Sequence, residues 1–241
     1  MRTPGHQNAG RWIWLAVVLI KPINRALFKR HWRGREHVPP TGGVLLVANH
    51  VSQADFLTLA EFVWDSGRIP RFLAKASLFR FRGVGNLLRG AQQIPVSRGT
   101  SAARNSLDEA VAALDRGECV CIYPEGTVTR DPGFWPMQAR TGVARLALTS
   151  DVPIVPVCNW GPQHALDVEH KKVRPVPRHD VWCVAGPPLD LSAYKGRALT
   201  AELLREVTDV IMGTVRDQLA KVRGETPPPE FFRRPPTREA S

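Results

Sequence analysis

The stretch Val44 to Ala48, VLLVA, is apolar at every position, with a Pro-Pro-Thr-Gly-Gly turn before it and polar Asn49-His50 after it. A short run without polar alternation reads as a strand buried on both faces, which requires a sheet covered on both sides. Further strand candidates lie at Arg71 to Ala76, Gln93 to Val96, Glu118 to Tyr123, Ile154 to Cys158 and Val181 to Ala185. Helical periodicity appears between them. Phe56, Leu59, Ala60 and Val63 share one face ahead of a stop at Gly67, and helical stretches fall near 81–90, 100–116 and 139–149. A last amphipathic helix runs from about Thr200 to Val222. Strands alternating with helices predict a single α/β domain with a largely parallel or mixed central sheet flanked by helices. With 241 residues, 43% apolar and 23% charged, the chain is large enough for one good core and unlike a disordered, collagenous or wholly membrane-embedded protein. The Pro-rich, charged tail from Glu225 is expected to be extended or disordered. The predicted organisation is therefore 1–36, a basic and aromatic N-terminal segment, 37–224, the α/β domain, and 225–241, the tail.

The formal charge of +11 is concentrated in two places. Residues 1–40 carry +7, and the stretch from Ser66 to Leu107 carries +8 without one carboxylate in 42 residues. Such an excess favours a polyanion, either a membrane surface or a nucleic acid. The nine-residue apolar run Trp12 to Ile20 would span roughly 13 Å as a helix at ~1.5 Å per residue, too short for a bilayer core of about 30 Å. No small-residue cleavage pattern follows it, so a secretory signal fits poorly. As a helix, the following residues place Lys21, Arg25 and Lys29 opposite Ile20, Ile23 and Leu27, and Trp12, Trp14 and Trp32 add rings favoured at headgroup level. Residues 11–32 are thus expected to lie in the membrane interface, preceding the domain as an amphipathic segment; an ordinary helix packed on the domain is the competing reading. The cysteines Cys119, Cys121, Cys158 and Cys183 lack metal-site spacing and read as buried reduced thiols, the first two on one strand face.

The chemistry gathers where strands end. Asn49-His50-Val51-Ser52-Gln53-Ala54-Asp55 begins at the end of an apolar strand and runs into a helix, the usual ligand edge of an open α/β sheet. One tight turn brings His50 and Asp55 into contact, fixing the tautomer and leaving the other ring nitrogen as a general base. Alone, this pair is a weak signal, better read as a capping aspartate beside an unrelated histidine. Tyr123-Pro124-Glu125-Gly126-Thr127 is a second strand-end turn with a carboxylate, a permissive glycine and a hydroxyl. Gln93 to Arg98 ends a strand with an arginine, a fork of donors suited to phosphate or carboxylate, just before a helix. Val152 to Val157 is a stiff apolar strand framed by prolines.

Together, and in this order, these blocks resemble the four motifs of the glycerolipid acyltransferases, in particular the 1-acylglycerol-3-phosphate (lysophosphatidic acid) acyltransferases. The resemblance runs from about Arg33 to Gly186: NHxSxxD at 49–55, Arg98 in the second motif, the PEGT of 124–127 in the third and the proline-rich fourth at 152–157. Phe72-Leu73-Ala74-Lys75 resembles the family segment whose lysine helps hold phosphate. The family usually continues PEGT with Arg-Ser, whereas Val128 and Thr129 here precede Arg130, so Arg130 acts from a shifted position or the acceptor differs.

The resemblance implies acyl transfer without an acyl-enzyme. His50, oriented by Asp55, deprotonates a glycerol hydroxyl that attacks the thioester of acyl-CoA or acyl-carrier protein, a co-substrate rather than a cofactor. Lys75 and Arg98 hold the acceptor phosphate, while Glu125, Gly126 and Thr127 shape the acceptor pocket. Ser52 is given no covalent role and reads as a cap of the following helix. The acceptor expected is lysophosphatidic acid, with glycerol 3-phosphate or another lysolipid as alternatives. Anionic lipids are the expected partners, and the expected location is the cytoplasmic face of a membrane, peripheral or monotopic.

Rival chemistries find less support. Pro95-Val96-Ser97-Arg98-Gly99 lacks the first glycine of GxSxG, no GxxxxGK[ST] loop occurs, and Gly83-Val84-Gly85 is not continued as GxGxxG. His164, Asp167 and His170 share no helical face, so no metal site is expected. A noncatalytic basic membrane- or nucleic-acid-binding module is the reading from a different class. No aromatic platform or reading motif lies among the arginines, and no nucleic-acid partner is expected.

Overall fold

In the computed structural model of the protein, residues 9–97, 101–167, 172–174, 176 and 178–233 are described. In chain order the elements are α1 (Arg11–Leu27), β1 (Phe28–Arg33), β2 (Val44–Ala48), α2 (Asp55–Asp65), β3 (Pro70–Lys75), α3 (Val84–Gly90), β4 (Ile94–Val96), α4 (Ser101–Asp115) and β5 (Cys119–Ile122). They continue as α5 (Gly142–Thr149), β6 (Ile154–Trp160), α6 (Pro162–Ala165), β7 (Leu166–Asp167), β8 (Lys172–Val173), β9 (His179–Ala185) and α7 (Ala201–Arg223). Seven strands form one sheet in the order β1-β9-β6-β2-β5-β3-β4, and β7 and β8 make a separate small hairpin. Every neighbouring pair in the large sheet is parallel except β6 and β9, so the predicted α/β domain with a mixed sheet is what the chain forms.

The central strand β2 shows why its sequence has no polar position. Leu45 and Val47 pack on one face of the sheet with Leu114 of α4, Leu146 of α5 and Ile211 of α7. Val44, Leu46 and Ala48 pack on the other face with Leu59, Phe62 and Val63 of α2. Cys119 and Cys121 of β5 point into this second layer, and all four cysteines are buried free thiols. Gly67 ends the α2 region with φ of 84°, the left-handed geometry glycine adopts without strain.

The N-terminal segment departs from the sequence expectation at its end. The helix ends at Leu27, and Phe28–Arg33 form an edge strand of the sheet, with Phe28 level with His179 and Arg33 level with Val184. Within α1, Ile13, Val17 and Asn24 are buried, while Ile23 is 43% exposed. Acidic residues of α2 help seat the helix. Lys21 pairs with Asp65 at 2.7 Å, and Glu61, itself buried, accepts from Asn24 Nδ2 at 2.7 Å and from Arg30. No helix among the described residues is long and apolar enough to cross a membrane.

Part of the second basic patch is structural. Arg68 is fully buried and donates to the carbonyls of Pro39, Gly42 and Gly117 at 2.5–2.8 Å. Arg71 pairs with Glu118 and donates to Ala91 O and Gln92 Oε1. Lys75, Arg80, Arg82 and Arg89 remain exposed. After α7 the chain lies extended against the domain: Gln138 N donates to Phe232 O at 2.9 Å, and Arg216 donates to the carbonyls of Pro228 and Pro229. The remainder of the tail, 234–241, lies outside the described residues.

Candidate active site

Strands β2, β5, β3 and β4 are adjacent and parallel, so all four present their C-terminal ends at one edge of the sheet. The sequence blocks follow those ends: Asn49 to Asp55 after β2, Tyr123 to Thr127 after β5, and Lys75 at the end of β3, level with Val96 of β4. Arg98 lies outside the described residues. The sheet order alone therefore gathers blocks that are far apart in the chain. The proline-framed strand behaves differently. Its residues 152–157 enter β6 beside β2, where Ile154, Val155 and Val157 join the core.

His50 and Asp55 meet as predicted, with Nδ1 2.9 Å from Asp55 Oδ2. The same carboxylate oxygen accepts from Val51 N at 2.6 Å and Ser52 N at 2.9 Å, which wraps the turn around it. Asp55 is fully buried as the first residue of α2. Burial pushes its carboxyl above the ordinary range, against the hydrogen bond and charge of His50 and the two backbone donors. With Nδ1 occupied, Nε2 is the ring nitrogen left for chemistry. Ser52 is also buried, and its hydroxyl accepts from Ala54 N at 3.1 Å at the start of α2.

The β5 turn serves the histidine from behind. Glu125, 4% exposed, accepts from His50 N at 2.9 Å through Oε1 and from Met137 N at 3.0 Å through Oε2. Both carboxylate oxygens thus tie the first motif to the segment leading into α5. Burial raises this carboxyl from 4.5 to about 8, only partly offset by the two donors. Gly126 turns the chain with φ of 71°. The Val128-Thr129 pair that departs from the family pattern is anchored under the site, because Thr129 N donates to His50 O at 2.7 Å. Arg130 is exposed and lies outside the lining of the cavity described below.

Several contacts at the site had no signal in the sequence, although Tyr123, Phe72 and Asn49 lie within the blocks read there. Tyr123 stacks on the His50 ring at 4.4 Å and 20°, and Phe72 stacks behind Tyr123 at 6.2 Å. Asn49 and Asn159 lock β2 to β6: Asn49 Nδ2 donates to Asn159 O at 3.0 Å, and Asn159 N donates to Asn49 Oδ1 at 2.8 Å. A Cβ on Gly126 would meet Arg140 Nε at 3.3 Å, so this exposed guanidinium lies against the Pro-Glu-Gly-Thr turn. Only the short spacing within 49–55 was readable as a contact.

A cavity of about 720 Å³ opens beside His50. Gly126, Thr127, Val128 and Lys75 are among its lining residues. Phe72 and Phe56 line it as well, with Ile13, Val17 and Ile20 of α1, Ala60 and Trp64 of α2, and Leu87 and Leu88 of α3. A general base in a largely apolar cavity suits a reactant with a polar reacting group and a hydrocarbon body. Among the described residues, no group of three or more His, Cys, Asp or Glu side chains is placed to hold a metal ion. His164 is exposed, and His170 lies outside the described residues.

A family model described as Acyltransferase matches residues 29–160. A Bacillus subtilis protein named 1-acyl-sn-glycerol-3-phosphate acyltransferase is 26% identical over 140 residues, covering 57% of this chain and 65% of that protein. A Limnanthes douglasii protein of the same name is 31% identical over 176 residues, covering 72% of this chain and 56% of that protein. The chain therefore spans between about half and two thirds of the length of these curated relatives. The crystal structure of the 1-acyl-sn-glycerophosphate (LPA) acyltransferase from Thermotoga maritima shares the fold, with a TM-score of 0.59 over 85% of this chain and 81% of that one, at 23% identity.

Proposed function

The chain belongs to the Acyltransferase family, and from that premise we propose that it moves a fatty acyl group from an acyl thioester to the free hydroxyl of 1-acylglycerol 3-phosphate, giving phosphatidic acid. The observation that carries this reading is the His50–Asp55 pair, whose histidine lines a largely apolar cavity together with Lys75. His50 Nε2 takes the proton of the acceptor hydroxyl as its oxygen bonds to the thioester carbonyl carbon. The tetrahedral intermediate collapses with cleavage of the C–S bond, and the proton on Nε2 passes to the departing thiolate. Asp55 holds the imidazole in the required tautomer and stabilises the imidazolium. Glu125 positions His50 by gripping its backbone N–H, and Tyr123 supports the ring face.

Lys75 and Arg98 supply the charge that holds the acceptor phosphate, Gly126 and Thr127 border the acceptor, and the apolar cleft takes a hydrocarbon chain. Ser52 forms no acyl-enzyme, since its buried hydroxyl is committed to the turn. The donor is acyl-CoA or acyl-carrier protein. The enzyme works at the cytoplasmic face of a membrane, meeting anionic lipid through α1, whose outward side presents Leu15, Val18, Leu19 and Ile23. The test is a panel of acceptors, 1-acylglycerol 3-phosphate, glycerol 3-phosphate and lysolipids lacking a terminal phosphate, each offered labelled acyl-CoA or acyl-carrier protein. Preference for 1-acylglycerol 3-phosphate supports the reading. Preference for an acceptor without a terminal phosphate removes the roles given to Lys75 and Arg98.

A further inference from the structure

The corner between β3 and α3 is built to expose apolar side chains. The 3-10 segment Ala76–Arg80 passes into α3 through Gly83, whose φ is 83°. Leu78, Phe81 and Val84 are 40%, 61% and 51% exposed there. The corner is held in this shape. Gly85 N donates to Phe81 O at 2.8 Å, Arg89 donates to Phe79 O, and a Cβ on Gly85 would meet Phe79 O at 2.2 Å, so the α3 backbone packs directly on the 3-10 segment. Phe81 therefore points outward because its backbone is fixed. Arg80 and Arg82, both exposed, flank it, and no carboxylate occurs between Ser66 and Leu107.

The corner also has a position. Leu78 and Val84 line the cavity together with Phe56, which is 48% exposed, and Ile20 of α1. Residues that are both exposed and cavity-lining mark its mouth, so the corner and Phe56 border that opening, while the α1 residues that line the cavity lie further in. We propose that Leu78–Val84 is a second membrane-inserting element, separate from α1. It sinks Phe81 among the acyl chains of an anionic bilayer while Arg80 and Arg82 engage headgroup phosphates, so that the cavity opens into lipid. An apolar tip between two cations, in a stretch of sequence without an acid, complements that surface. The inference rests on the reading that the acceptor is a lipid met at a membrane.

The four native cysteines are buried, so the Phe81→Cys protein offers one accessible thiol for an environment-sensitive fluorophore. On vesicles of phosphatidylcholine and phosphatidylglycerol the label at this position is expected to enter an apolar environment, whereas a label placed through Glu202→Cys on α7 stays aqueous. Phe81→Asp is expected to lower vesicle partition about tenfold or more. Arg80→Gln and Arg82→Gln are each expected to lower it about fivefold, only when phosphatidylglycerol is present. Acyl transfer to a short-chain, monomeric acceptor should persist in Phe81→Asp, because Phe81 does not line the cavity. A label that stays in water on bound protein, unchanged partition of Phe81→Asp, or no vesicle binding by the wild type overturns the inference. A change in self-association with partition unaltered assigns the corner to a second copy and also overturns it. Vesicle binding without acyl transfer to any acceptor instead defeats the catalytic reading.

Discussion

Replacing Glu125 by glutamine tests how the first motif is held. In the folded protein burial raises the carboxyl from 4.5 to about 8, against its two backbone donors. Between those values the native state keeps a proton that the unfolded chain releases, so stability is full at low pH and is lost as pH climbs toward 8. At about 1.36 kcal/mol for each pH unit, the whole span amounts to roughly 4–5 kcal/mol. Glutamine cannot ionise. Its one acceptor oxygen keeps one of the bonds from His50 N and Met137 N, and its amide meets the other donor, which costs about 1–3 kcal/mol at every pH. Urea unfolding of both proteins at intervals from pH 5 to 8 is the assay. The expected result is a glutamine variant somewhat less stable than wild type at pH 5 and more stable at pH 8, with the difference changing steadily between. Parallel curves would refute the reasoning, showing that the carboxylate stays charged and is held by its two backbone donors.

Other substitutions probe separate parts of the structure. Asp55→Asn should reduce acyl transfer about 100- to 10,000-fold, while circular dichroism and urea unfolding show the fold intact; near-normal turnover would remove Asp55 from the catalytic unit. Lowering the pH should reduce the wild-type rate as the Asp55 carboxyl, raised by burial, takes up a proton and stops supporting the imidazole, and a rate that rises toward acid would contradict its role. Arg68→Lys, which cannot reach all three carbonyls of Pro39, Gly42 and Gly117, should cost about 2–4 kcal/mol in urea unfolding. Gly90→Ala would place a Cβ 2.2 Å from the Trp12 ring and should loosen α1, seen as faster proteolytic cleavage before Phe28 in an otherwise folded protein. Unchanged protection would mean that α1 is not seated by that contact.

What could be read in the chain depended on how local its cause was. Strand β2 was legible because burial on both faces leaves no room for a polar residue, and the His50–Asp55 contact because one turn closes it. Strand β1 was not: FKRHWR looks like charged coil, and it is a strand because its edge position leaves Lys29 and Arg33 in solvent while β9 supplies the pairing. The polar seating of α1 had no local cause to read either, because it depends on Glu61 and Asp65 of α2, which draw in Asn24 and Lys21. The role of Glu125 depends on Met137, and the cavity depends on α1 meeting α3, contacts that no spacing encodes.

The central claim is that His50 is the base for direct transfer from the thioester to the acceptor. The measurement that meets it most directly is the initial rate of labelled phosphatidic acid formation from acyl-CoA or acyl-carrier protein and 1-acylglycerol 3-phosphate, compared between wild type and a folded His50→Ala protein. A loss of about 100- to 10,000-fold, with vesicle binding unchanged, is the predicted result. Turnover by His50→Ala within tenfold of wild type would contradict it.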